Sequence, residues 1–386
     1  MVLNCLVVVA QDSYPLEDSA RIVMMKEVSK KHPRIQIPTP PYAYSVENVS
    51  FKDDETGLQY GGTLTKPEGK DDFPTVVLIS GTGAQDRDYT GAGHKFFWTL
   101  ADYLSTNGIA VLRVDDRGVG ETNGIYVNAT SLDFAKDTQA ALKWLNTRAD
   151  IKHNRIGLIG HSEGGIIAPM VYKLNPNLVK FMVLISGPTV GLRVINTKQT
   201  TDFYKASFKD NDTLVKANMR IHQFVVDRIP KEAHDDASLD ILLRKTSDSL
   251  NYLIDPKLTK RIGLGDGAGR PFVLKGRFMS FLKPWWQFIL AYDPINDLKL
   301  VECPVLGIYG DKDQQVPPKE SLSLLRKNLP RNKYTKMKMY KNMNHFMQPD
   351  LNGDPKNYEN ISTTIMPEVL MQISSWINSQ KIESKI

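Results

Sequence analysis

The stretch Arg155-Ile-Gly-Leu-Ile-Gly160-His161-Ser162-Glu163-Gly164-Gly165-Ile-Ile167 decides how this 386-residue chain is read. Residues 155–159 form a short apolar run, residues 163–173 have helical periodicity, and Gly160-x-Ser162-x-Gly164 joins the two. A G-x-S-x-G pentad alone arises by chance in roughly one chain in ten of this length, so its context must carry the reading. Between a strand and a helix it predicts a sharp turn that lifts a serine hydroxyl clear of the backbone. Small residues at Gly160 and Gly164 let strand and helix approach closely. The bland alternative is a structural serine in a glycine-rich turn.

Outward from that turn, apolar runs alternate with amphipathic segments. Strands are predicted at 75–79, 109–114, 155–159, 181–185, 305–309 and 336–340, and helices at 95–106, 132–146, 163–173, 319–329 and 366–379. Segments 45–51 and 58–65 flank the turn-rich Asp53-Asp-Glu-Thr-Gly57 and predict an antiparallel hairpin. The fold class is therefore α/β, an eight-stranded, mostly parallel sheet with helices on both faces. Residues 1–43, polar and proline-bearing toward their end, form an N-terminal extension. Residues 44–189 and 301–386 are the two parts of the core. Residues 190–300 break the alternation and predict a helical cap insertion, falling between the sixth and seventh strands where a lid would cover a site. Its aromatic run Phe281, Trp285, Trp286 and Phe288 reads first as packing.

Bulk composition excludes several classes. The net charge of +6 arises from 49 basic and 43 acidic residues, scattered rather than striped, which argues against nucleic-acid binding. The densest basic stretch, 326–341, is interleaved with apolar residues and reads as a solvated helix end and strand. Two cysteines, Cys5 and Cys303, cannot make a disulfide framework, and no run approaches the ~20 apolar residues of a membrane span. The apolar segment 2–10 lacks a basic flank, yet Ala10-Gln11 suits signal cleavage, which tilts the expectation to export (periplasmic or secreted) over a cytoplasmic chain.

A serine hydroxyl is a weak nucleophile at neutral pH and needs a base. Of seven histidines, His345 closely follows the last predicted strand, whereas His161 belongs to the turn and its ring is expected to point away from the hydroxyl. His94, His222, His234, His32 and His153 read as structural or exposed. The base needs an orienting carboxylate, and Asp313 lies within the loop after strand 305–309; Asp311 competes, with turn capping as its alternative role. Negative charge on a tetrahedral intermediate needs two fixed N–H donors. The backbone of Glu163, after the serine, supplies one; Thr82 in Ser80-Gly81-Thr82-Gly83 is the candidate for the other, with Gly83 next. Asp115-Asp116-Arg117-Gly118-Val119-Gly120 is not a dinucleotide loop, because Asn123 stands where the third glycine belongs; Arg117 is expected to pair a local carboxylate. No Walker sequence and no zinc-ligand spacing is present, so no metal is expected.

Ser80-Gly-Thr-Gly-Ala-Gln-Asp-Arg-Asp88, Asp115-Asp-Arg-Gly-Val-Gly120, Gly160-His-Ser-Glu-Gly-Gly165, Tyr292-Asp-Pro294 and Gly310-Asp-Lys-Asp313 resemble bacterial α/β-hydrolase fold esterases of the serine-aminopeptidase-like branch. The resemblance runs from about residue 38 to the end. It implies a Ser162–Asp313–His345 triad with Thr82 and Glu163 as oxyanion donors, a helical cap, no cofactor, and activity on short-chain acyl esters. A peptidase or thioesterase on the same triad is the nearest rival, with Asp235 and Asp236 as candidate anchors for a peptide terminus. A non-catalytic binding protein on this scaffold is the rival from another class.

Overall fold

The computed structural model describes residues 34–69, 71–265 and 267–380. The possible leader at 2–10, Cys5 and His32 lie outside the described residues. Two compact units emerge: 191–293 together with 127–130, and the remaining core of 34–126, 131–190 and 294–380.

In the core, eight strands pair in one sheet: β1 (Tyr44–Lys52), β2 (Gln59–Pro67), β3 (Thr75–Ile79), β4 (Ala110–Val114), β5 (Ile156–His161), β6 (Met182–Ile185), β7 (Val305–Gly310) and β8 (Lys336–Tyr340). Their spatial order is β1-β2-β4-β3-β5-β6-β7-β8. β1 pairs antiparallel with β2, and β2 antiparallel with β4. Every later pairing is parallel. The expected mostly parallel sheet of eight strands is thus observed, and each predicted core strand appears within a residue or two of its expected bounds.

Alternation along the strands divides the core between two faces. Val76, Leu78, Val111, Ile159, Val183, Ile185, Leu306 and Ile308 belong to one cluster with residues of α1 (Phe96–Thr106) and α10 (Pro367–Asn378), including Leu100, Leu104, Ile373 and Trp376. On the sheet's other side α2 (Ser131–Leu145) and α3 (Gly164–Leu174) pack on each other and on β3. α9 (Pro318–Asn328) packs on β7. β8 closes the sheet at one edge, where Lys336 and Lys338 are exposed.

Within the described end of the N-terminal extension, Arg34 and Gln36 are more firmly held than its polar composition suggests. Arg34 is buried and donates to the carbonyls of Ile361, Ala92 and Glu359, at 2.8, 2.7 and 2.7 Å. Gln36 bonds Thr364 and Ile365 through both ends of its amide. Side chains able to satisfy several backbone groups at once can fix an irregular segment without any periodic pattern.

The unit 191–293 is helical, built on α4 (Leu192–Ser207), α5 (Asp212–Val226), α6 (Asp236–Asp248), α7 (Arg270–Phe278) and α8 (Pro284–Ala291) with shorter turns between. Phe281, Trp285 and Trp286 are buried and pack on one another, at 4.7 Å between the rings of Phe281 and Trp286 and 4.8 Å between the tryptophans. Phe288 stacks on Tyr292 instead. Among the described residues no helix is long and apolar enough to cross a membrane.

Leu112 is fully buried in the middle of β4. Leu112→Ala removes apolar contact and leaves a cavity between close-packed layers, at a cost of about 2–5 kcal/mol. Urea denaturation should show a lower midpoint with an unchanged slope.

Candidate active site

In an open parallel sheet the loops that leave the carboxyl ends of neighbouring strands converge on one rim. Here β3 delivers Ser80 through Gly83, β4 delivers Asp115 and Asp116, β5 delivers Ser162, β7 delivers Asp311 and Asp313, and β8 delivers His345.

Ser162 sits at φ +54°, the left-handed region that a side chain with a Cβ seldom adopts. Its N–H donates to Ile185 O at 3.0 Å and its carbonyl accepts from Gly165 N–H at 2.8 Å, so the turn is pinned on both sides. A Cβ on Gly160 would stand 2.1 Å from the Gly164 carbonyl oxygen, which leaves room only for glycine there. The serine itself is half-buried.

Asp313 and His345 meet. His345 Nδ1 lies 2.7 Å from Asp313 Oδ2, and both residues are buried. The other oxygen, Oδ1, accepts the N–H groups of Gln315 and Val316 at 2.8 and 2.9 Å, which fixes the plane of the carboxylate. Asp311 does different work: its Oδ1 accepts Asn342 N–H at 2.7 Å and ties the β7 loop to the β8 loop.

His161 holds the backbone of His345. His161 Nε2 donates to the His345 carbonyl at 3.1 Å, and Ser186 Oγ donates to the same oxygen at 2.9 Å. The two imidazoles lie 4.8 Å apart between centroids. His161 is fully buried, and burial together with His345 keeps its pKa well below the usual histidine range, so it is neutral. With Nε2 donating to a carbonyl, Nδ1 is the acceptor for Tyr89 Oη at 3.3 Å. The turn and the His345 loop are therefore in contact, although Ser162 Oγ makes no hydrogen bond among the described residues.

The Ser80-Gly81-Thr82-Gly83 loop lies against the serine. A Cβ on Gly81 would come within 2.4 Å of Tyr89 Oη and 2.9 Å of Ser162 Cβ. Gly83 N–H is already bonded to Tyr126 Oη at 2.9 Å, which removes it as a free donor. The Thr82 N–H makes no hydrogen bond among the described residues. Glu163 is buried, and its carboxylate accepts Ser131 Oγ at 2.6 Å.

The other sequence candidates fall elsewhere. Arg117 forks onto Asp137 through Nε and Nη2, at 2.8 and 2.7 Å. Asp235 and Asp236 are exposed; Asp235 caps α6 in a capping box with Ser238, and Asp236 faces Lys275 at 3.6 Å. They form no buried anchor for a peptide terminus. His222 is buried in the helical unit against Asn196, while His153 and His234 are exposed. Cys303 is buried and burial pushes its thiol pKa up, as for an inert core cysteine.

His94 Nε2 donates to the Tyr358 carbonyl at 3.1 Å, which leaves Nδ1 to accept the Thr364 hydroxyl at 2.9 Å. Tyr358 in turn accepts Gln315 Nε2 at 2.9 Å, beside Asp313, so this buried cluster braces the loop that carries the acid. Arg34 and Gln36 hold the same segment from outside.

The family model described as the α/β-hydrolase fold matches residues 74–350, and the chain belongs to that family. It is similar to Esterase EstD of Thermotoga maritima, 25% identical over 313 residues, which is 81% of this chain and 63% of EstD. The match thus spans less than two thirds of that relative. Esterase FrsA of Serratia proteamaculans is 29% identical over 148 residues, 38% of this chain and 33% of FrsA. The crystal structure of the α/β hydrolase GrgF from Penicillium sp. sh18 shares the fold, with a TM-score of 0.51 at 13% identity, covering 86% of this chain and 98% of GrgF.

Burial, and secondarily Arg34, lowers the pKa of His94 to about 4. A histidine that is neutral in the folded chain and free to charge when unfolded contributes stability above its ordinary pKa of about 6.5, and that stability is lost as pH falls toward 4. The loss should be on the order of 2–3 kcal/mol. Melting curves between pH 7 and pH 4 should fall more steeply for the wild type than for His94→Gln.

Proposed function

We propose that the chain is a serine hydrolase that cleaves carboxylic esters, of short acyl chain, through an acyl-enzyme on Ser162. The observation that carries this reading is the buried His345–Asp313 pair, at 2.7 Å, held in contact with the turn that presents a half-buried serine at φ +54°. The esterase names of EstD and FrsA support the same reaction class.

In the first step the Ser162 hydroxyl turns toward His345 Nε2, a bond that commonly tightens only when substrate is bound. His345 takes the proton as Oγ attacks the ester carbonyl. Asp313, hydrogen-bonded to Nδ1, keeps Nε2 as the accepting nitrogen and stabilises the imidazolium. The oxyanion is received by the N–H groups of Thr82 and Glu163, which are oriented before the charge develops. Collapse expels the alcohol, which leaves with the proton from His345. Water, deprotonated by His345, then attacks the acyl-enzyme; the second oxyanion collapses, and Ser162 recovers its proton as the acid departs.

Amide hydrolysis would need a poorer leaving group to be expelled and a peptide terminus to be anchored. The exposure of Asp235 and Asp236 favours the ester reading over the peptidase one.

Ser162→Ala should lower turnover of p-nitrophenyl butyrate by on the order of 10⁴ or more, with the fold retained by circular dichroism. Wild-type turnover by that variant would refute the assignment, and a series of p-nitrophenyl esters from acetyl to decanoyl should peak among the short chains.

Asp313→Asn and Asp311→Asn should separate clearly. The first removes the partner of His345 and should cost about 10³–10⁴ in kcat, while the second weakens only a loop tie and should leave kcat within about tenfold. Equal losses in steady-state assays would refute the choice of Asp313.

A further inference from the structure

Behind the loop 80–85, carboxyl groups from three elements face one small cavity. Asp116 follows β4, Asp137 lies on α2 and Glu163 follows Ser162; with Ser80, Gly81 and Tyr126 they help to line a space of about 40 Å³. Such a volume holds one or two waters and no larger molecule. The acids are therefore not placed to bind a substrate, and what they touch must explain them. Arg117 accounts for Asp137, Ser131 Oγ bonds Glu163, and Asp115, which also lines the space, is taken by Arg87. Asp116 remains, in a place where the mechanism gives it no task.

The hydrogen-bond partners of its carboxyl all lie on the loop. Ser80 Oγ donates to the two oxygens of Asp116, at 3.1 Å to Oδ1 and 3.3 Å to Oδ2. Gln85 N–H donates to Oδ2 at 2.9 Å, and the Asp116 N–H returns a bond to the Gln85 carbonyl at 3.1 Å. The side chain thus grips both ends of a six-residue turn, with Thr82 between them. From the other side Tyr126 Oη accepts Gly83 N–H.

We infer that Asp116 is a positioning residue: it clasps the loop 80–85 at both ends and so fixes the Thr82 amide beside Ser162. The inference rests on the proposed oxyanion role of that amide. An oxyanion donor acts only when its N–H already points at the place where charge develops, because reorienting it during reaction cancels its benefit. A glycine-bearing loop does not hold such an orientation unaided, and Asp116 supplies the missing constraint.

The protonation of Asp116 suits the task. Burial lifts its carboxyl to about 8; Asp137 and Glu163 push the same way, against the bonds from Gln85 and Ser80. A neutral carboxyl still offers a carbonyl oxygen to Gln85 N–H and adds no second negative charge beside a developing oxyanion. Asparagine reproduces both properties, whereas alanine reproduces neither.

The test compares Asp116→Ala and Asp116→Asn with wild type on p-nitrophenyl butyrate, below the melting temperature of each. Asp116→Ala should lower kcat and kcat/KM together by ~10-fold or more, with KM within about twofold, the signature of an interaction made only in the transition state. Asp116→Asn should recover kcat to within about threefold of wild type. Wild-type kcat in Asp116→Ala, a raised KM at unchanged kcat, or an asparagine variant as slow as the alanine one would each overturn the inference. If Asp116→Ala does not fold, Ser80→Ala, which cuts one tie and leaves the buried acid, carries the test. Lower kcat at constant KM then supports the clasp, and wild-type kcat rejects it. Ser162→Ala separates the two levels: activity retained there defeats the hydrolase reading itself, whereas an inactive Ser162→Ala beside a fully active Asp116→Ala defeats only the clasp.

Discussion

The backbone at Ser162 is held where a residue with a Cβ seldom rests. A φ of +54° is costly in isolation, of order 1–3 kcal/mol for a residue forced out of its ordinary region. It survives because the surroundings leave no alternative: the amide is bonded to β6, the carbonyl to the first turn of α3, and the Gly160 Cα lies almost against the Gly164 carbonyl. Relaxing the turn would require β5 and α3 to separate, which would open the sheet-to-helix packing of the core. Strain in three backbone atoms is thereby carried by the packing of a whole layer.

From that fixed point the remaining parts are arranged by topology. The parallel sheet brings loops from residues 80, 116, 162, 313 and 345 to one rim, although they are spread over more than half of the chain. Contacts between loops then refine what the sheet places roughly. His161 and Ser186 both hold the carbonyl of His345, so the imidazole is carried on a backbone tied to β5 and to the end of β6. Asp313 is fixed by two amides of its own loop before it meets the ring.

Much of this was legible in the sequence, for identifiable reasons. Strands buried on both faces read as continuous apolar runs, and 75–79 or 305–309 could hardly be anything else. The pentad at Gly160 has a steric cause that fixes its residue types. The choice between Asp311 and Asp313 was harder, since both follow the same strand, and only the direction of each side chain separates a loop tie from the partner of His345. What could not be read lies in polar contacts without period. Nothing in the spelling of Asp116 distinguishes it from Asp115, which binds Arg87, and nothing in Arg34 announces three distant carbonyls. That the ring of His161 points away from the hydroxyl could be expected from its place in the turn, but the carbonyl it reaches, 184 residues away, could not. The hydroxyl of Tyr126 occupies the N–H of Gly83, a contact that no count of glycines could show.

The exposed lysines of β8 bear on how copies of this molecule meet. β8 ends the sheet, so its outer row of backbone N–H and C=O groups faces no further strand among the described residues. Such a margin is a template for an incoming strand, and sheets fuse along it into fibres unless something intervenes. Lys336 and Lys338 give that margin two like charges, and Lys341 follows just beyond it. Two molecules brought together along this border would have to crowd ammonium groups as they zipped up, which discourages the self-templating that an uncharged border would invite.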